Sequence, residues 1–224
     1  MNPVCDYQSL LERLDARFRY DLSITGKNSL LIGICFARPS SQLAKSDIIP
    51  QIPDWHYRSG NSADFFFAGF SDHPRDESSV ELDLVVQRRW YYNSRAFNEF
   101  RRDIEERTSW QYSGASDLIL CVAKWDRRRE QAKIDFSLAI ACQLDSMKDT
   151  KAFASVEQYF EEIFRYAENN HLAPNIVELS DRLGAQRAGQ ELKRAVLSLL
   201  PSQVGSAFDR IAPHAVKNIG NKAR

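Results

Sequence analysis

Three sets of residues in this 224-residue chain have types and spacing that could do chemistry. Asp72, His73 and Asp126 supply what a metal-assisted hydrolase needs: an imidazole that ordinarily titrates near neutrality as general base, and carboxylates to orient it or to hold Mg²⁺. Arg38, Ser40, His56, Arg58 and Lys124 form a second set, rich in N–H and O–H donors and so matched to the acceptor-only oxygens of an anionic ligand. Within it, Trp55-His56-Tyr57-Arg58 is the densest aromatic and ionisable tetrapeptide. Arg58 could grip a phosphate or carboxylate in bidentate fashion while Trp55 or Tyr57 stacks on a ring; equally, the two aromatics could anchor a long connection onto the body of the protein. The third set is Lys124-Trp125-Asp126-Arg127-Arg128-Arg129 together with Arg88-Arg89-Trp90. If these met in space, arginines would hold phosphates and tryptophans would stack on unpaired bases, although Glu99, Glu106 and Glu130 are placed to neutralise them.

Motifs with a fixed mechanism are missing. Neither the phosphate-binding loop nor the dinucleotide-binding glycine pattern occurs, and the same holds for the H-E-x-x-H helix, the EF-hand loop and the G-x-S-x-G elbow. Asp72, His73, Glu77, Glu81 and Asp83 fall within one short stretch, and Glu81 and Asp83 share a strand face, so two carboxylates could approach one cation. A solvated edge strand explains that pair equally well. The sequence assigns no metal ligands and no cofactor.

Composition sets the outer limits. With 30 basic and 30 acidic side chains, 43% hydrophobic and 11% aromatic residues, the chain can bury a core without staples, which excludes collagen-like, disulfide-scaffold and wholly disordered readings. A formal net charge of zero argues against nucleic acid binding over the whole surface and leaves room only for a local basic patch. The longest apolar run, Leu30 to Ala37, is far shorter than the roughly 20 residues that cross a bilayer, so no membrane contact is expected. Met1 to Tyr20 has neither a basic leader nor an apolar stretch, which points to the cytoplasm. Cys5, Cys35, Cys121 and Cys142 form no C-x-x-C pair and read as inert thiols, with Cys5 the one expected to be exposed.

The elements that must position these groups follow from hydrophobic spacing. Tyr7, Leu10, Leu11, Leu14 and Phe18 mark an amphipathic helix capped near Asp6. Ser29 to Phe36, Ala63 to Phe70 and Asp117 to Ala123 are continuously apolar, as in strands covered on both faces, and Gly69 reads as a bulge or a close backbone contact. From Ser40 to Ile49 the chain can be helical until Pro50 and Pro53 end it, and Trp55 to Ser62 then reads as a connection. Val80 to Val86 alternates and reads as an edge strand, with Arg88 to Tyr92 continuing or ending it. Helices are predicted from Asn93 or Ser94 to Thr108, from Ser155 to Glu168, and from Pro174 towards Leu200. For Ile134 to Leu144 the two periods compete, and Ala139, Ala141 and Gln143 tip the reading to helix.

Strands separated by helices predict an α/β fold: a mostly parallel sheet flanked by helices, with one edge strand and a helical C-terminal extension. Residues 1–150 would form the core domain, 151–200 a helical cap and 201–224 a weakly structured basic tail. In such a sheet ligands gather beyond the carboxyl ends of the strands, which nominates the loops carrying Arg38 and Ser40, Asp72 and His73, and Lys124 and Asp126. The functional expectation is a cytoplasmic ligand-binding or regulatory module within a larger protein assembly, recognising an anionic small molecule or a protein partner. The hydrolase built on Asp72, His73 and Asp126 and a nucleic-acid-binding protein using Arg127 to Arg129 are the alternatives.

Overall fold

The computed structural model describes residues 1–24, 26, 28–59, 62–84, 88–149, 153–169 and 216–220. A six-stranded sheet, in the order β1-β3-β2-β7-β8-β9, forms its centre. These strands are β1 (Asn2–Val4), β2 (Ser29–Ala37), β3 (Ala63–Ala68), β7 (Ser116–Asp126), β8 (Gln131–Gln143) and β9 (Val216–Asn218). A small second sheet, in the order β4-β6-β5, is built from β4 (Phe70–Ser71), β5 (Val80–Leu84) and β6 (Arg88–Tyr92). The helices are α1 (Tyr7–Ile24), α2 (Ile52–Ser59), α3 (Ser94–Arg107), α4 (Leu144–Asp149) and α5 (Val156–Asn169). No helix among the described residues is long and apolar enough to cross a membrane.

Successive strand residues face opposite layers. Asp64 reaches Arg17 of α1 at 3.9 Å, whereas its neighbour Phe65 stacks edge-on against Phe164 of α5. α1 and α3 therefore cover one face of the sheet, and α2 and α5 the other. Helix starts are set by side chains that satisfy otherwise unpaired amides. Asp6 Oδ1 accepts from the Ser9 amide at 2.7 Å while Ser9 Oγ accepts from the Asp6 amide at 3.2 Å. Asn93 Oδ1 accepts from the Ala96 amide at 2.9 Å, and Ser155 Oγ from the Gln158 amide at 3.1 Å.

The expectation of a mostly parallel sheet needs correction. β1, β3 and β2 run parallel, but β7 is antiparallel to β2, β8 to β7 and β9 to β8, so the sheet is mixed. The run from Leu118 to Ala123 is buried on both faces in either pairing, and burial carries no sign of direction. Residues 134–143, expected to be helical, lie in β8, where pairing to β7 overrides the helix preference of Ala139 and Ala141. Pro53 stands in the first turn of α2, where no amide is required, and the supposed connection from Trp55 is helical as far as Ser59. Between Ser40 and Ile49 the helix is a π turn over Ala44–Ile48, followed by a 3₁₀ turn over Ile49–Gln51. Part of the tail expected to be weakly structured forms β9. The helix expected from Pro174 lies outside the described residues.

Two glycines permit contacts that a side chain would block. A Cβ on Gly33 would lie 2.4 Å from the Phe65 ring, which occupies that space. Gly69, at φ +80°, ends β3; its N–H donates to the Val4 carbonyl at 2.8 Å and its carbonyl accepts from the Asn93 amide at 2.9 Å. All four cysteines are free and buried, Cys5 included, its thiol donating to the Phe70 carbonyl at 3.3 Å.

Candidate functional site: a groove beside the first strand

β1 covers only Phe66 to Ala68 of β3, so among the described residues the first half of β3 has no strand neighbour on that side. The gap is a groove of about 530 Å³ between the two helical layers. Arg13 and Arg17, one turn apart on α1, line one wall, and His56 and Tyr57 of α2 line the other, with Asp64 between them. The Met1 amino group lies within hydrogen-bond distance of His56 Nδ1, at 2.9 Å. Tyr57 meets the His56 ring edge-on at 5.7 Å and is 69% exposed. Arg17 donates to Asp21 Oδ2 at 3.1 Å, and Arg13 to Asp72 Oδ2 at 2.9 Å. Arg13 also lines a second depression, of about 350 Å³, together with Cys5, Asp72, His73 and Arg75.

The structure distributes the expected site residues over five places. His56 lies in the groove and Asp72 and His73 in the adjoining depression. Arg58 grips Glu161 of α5 through Nε at 3.0 Å and Nη2 at 2.8 Å, holding that carboxyl below its ordinary range, so its bidentate partner is this helix. Trp55, 1% exposed, stacks on Phe160 at 4.0 Å and is closed to any ligand; the anchoring role is the correct one. Arg38 and Ser40 stand at the end of β2, where the Arg38 guanidinium donates to Asn98 Oδ1 at 3.1 Å.

Lys124 and Asp126 lie at the far end of the sheet. Because β7 is antiparallel, Lys124 is in register with Ser29, the first residue of β2, whereas β4 and the loop with Asp72 follow the last residue of β3. The length of β2, at about 3.3 Å per residue, sets these ends ~27 Å apart. Lys124 pairs with Asp135 at 3.1 Å, and Asp126 Oδ1 accepts from the Arg128 amide at 2.9 Å within its own hairpin turn. Asp72, His73 and Asp126 therefore do not assemble, and no described group of three or more His, Cys, Asp or Glu residues could hold a metal ion. Glu81 pairs with Arg89 at 3.3 Å, and the Asp83 side chain lies outside what is described. The two arginine and tryptophan segments stand apart: Trp90 is buried against Phe67 and Phe70, while Trp125 packs on Phe18.

No known protein family, curated protein or solved structure matches the chain.

The sequence gives no motif that singles out Arg13 and Arg17, which lie off the apolar stripe of α1. The available signal was their spacing of four with Ala16 beside them, two cations on one helix face flanking a small residue. Nor does a motif single out Asp117, a buried carboxylate at the start of β7. Burial pushes its pKa up, against the opposing effect of donors from Ser113 Oγ at 2.6 Å and Trp110 Nε1 at 3.1 Å.

Proposed function

We propose that the chain is a cytoplasmic ligand-binding or regulatory module, a component of a larger protein assembly, whose ligand is an anionic small molecule held in the groove beside β1. One observation carries this reading: a cavity of small-molecule size onto which two helices turn Arg13, Arg17 and His56. The carboxylates that pair with these arginines are side chains, and the Arg13–Asp72 pair is 40% and 45% exposed on its two sides. Exposed pairs of this kind contribute little, so an incoming phosphate or carboxylate can exchange with Asp72 at small cost. The same exposure makes the binding modest and sensitive to salt. Tyr57 offers a ring at the rim for an unsaturated part of the ligand. The place in an assembly is supported by β5, the outer strand of the small sheet, which presents Val80 at 57% exposure beside an edge with no described strand partner.

Thermal denaturation with added pyrophosphate and citrate, at fixed low ionic strength, tests the ligand. The expected result is a saturable rise in Tm that weakens in Arg13→Ala and in His56→Ala and fades as salt is added. Absence of a response, or a response equally strong in Arg13→Ala, removes the groove as the site.

A further inference from the structure

At the other end of β2, Arg38 occupies surroundings unlike those of the groove arginines. Its guanidinium carbon lies over two aromatic rings, 4.9 Å from the centroid of Phe97 and 5.5 Å from that of Tyr112. Its donors radiate in the guanidinium plane, and Nη2 donates to the neutral side-chain amide of Asn98. Among the described residues Arg38 forms no ion pair, whereas Arg13, Arg17 and Arg58 each face a carboxylate.

Tyr92, the last residue of β6, packs on the same Phe97 ring at 6.0 Å. It is 8% exposed, and its hydroxyl is buried with no hydrogen-bond partner. Burial pushes this phenol up to about 12, against the opposing charge of Arg38, so at neutral pH it keeps its proton and is a donor. The neighbouring Tyr112 hydroxyl is already engaged with the Ala115 carbonyl. Among the described residues, a cation without a carboxylate and a buried O–H without an acceptor thus meet the same Phe97 ring, and each calls for a partner that accepts, best one that carries negative charge.

We propose that the end of β2 is a second site, separate from the groove, that binds a small oxyanion through the Arg38 guanidinium and the Tyr92 hydroxyl. Carboxylate and phosphate share the required chemistry. The aromatic surround excludes water from one side of the ion, which strengthens each contact relative to the exposed groove.

Titration of the full chain with oxalate and, separately, inorganic phosphate at constant ionic strength, followed by calorimetry and by Tm, tests the proposal. Saturable binding of at least one oxyanion is expected. Arg38→Gln should weaken it by about tenfold or more and Tyr92→Phe several-fold, in keeping with the loss of an ion pair and of one hydrogen bond from an uncharged donor, respectively. Which oxyanion binds tells a carboxylate site from a phosphate site. Tyr92→Phe removes a single buried oxygen and so tests the site even if Arg38→Gln fails to fold. Arg13→Ala should leave this binding intact. The proposal is overturned if neither oxyanion binds, or if the binding is unchanged in Tyr92→Phe. It is also overturned if binding is abolished by Arg13→Ala and kept by Arg38→Gln, an outcome that would assign the anion to the groove.

Discussion

The groove beside β1 and the end of β2 use the same residue, arginine, in opposite ways. In the groove Arg13 is partly open to water and Arg17 largely covered, and both face carboxylates, Asp72, Asp21 and Asp64, so charge is already compensated and any ligand competes with side chains. At the end of β2 Arg38 lies over the Phe97 and Tyr112 rings with no carboxylate partner among the described residues, and compensation is left open. The first arrangement favours exchange and the second favours selective capture. Counting arginines would not tell them apart; the partners and the local exposure do.

The largest effect expected to separate the two regions comes from Trp55→Ala. Loss of a buried tryptophan stacked on Phe160 should cost about 3–5 kcal/mol in chemical denaturation. It should also unseat the α2 wall of the groove and its anion response while leaving oxyanion binding at Arg38 in place. Equal damage to both responses would show that the regions are not independent. Next comes Gly69→Ala, whose Cβ would meet Phe97 Cβ at 2.6 Å in a backbone conformation hostile to side chains. We expect a loss of about 1–3 kcal/mol, with oxyanion binding at the end of β2, where Arg38 lies over Phe97, affected more than the groove.

Titration sharpens the contrast because the two sides have opposite signs. Burial raises Asp117, paired with Phe36 near the end of β2, above its ordinary value, so its contribution is fully present below that value and is lost as pH rises through the raised one. Hydrogen bonding from Arg58 lowers Glu161 on the groove side, so its contribution is present above the ordinary carboxylate value and is lost as pH falls through the lowered one. Stability measured against pH should therefore lose its decline on the alkaline side of the carboxylate range in Asp117→Asn, and part of its acid-side decline in Glu161→Gln. Smaller again is Tyr92→Phe without added anion. Removing an unpartnered buried hydroxyl should raise stability by about 1 kcal/mol. Arg13→Ala, which breaks an exposed pair, should move stability by about 1 kcal/mol or less.

Much of the local structure was legible in the sequence. The Asp6, Asn93 and Ser155 starts, the apolar stripes of α1, α3 and α5 and the alternation in β5 are written in side chains within one turn or one strand of each other. Direction was not legible: nothing in Leu118 to Ala123 records that its neighbour Leu31 to Phe36 runs the other way. The strand β8 was hidden because alanines that prefer helix also suit a crowded central strand. Residues at both candidate sites were divided by the same limit. His56 and Arg38 were nominated from their types, but Arg13 and Tyr92 acquire meaning only through partners distant in the chain, Asp72 for one and Phe97 with Arg38 for the other.

Gly69 sits where the large sheet, the small sheet and the cap of α3 meet, and its peptide groups serve Val4 on one side and Asn93 on the other. A joint of that kind leaves no slack. If the two sheets loosen as one unit, the Gly69 amide hydrogen should exchange with solvent only as fast as the most protected amides of β2. If they part separately, that single proton will exchange earlier and report the seam at which unfolding begins.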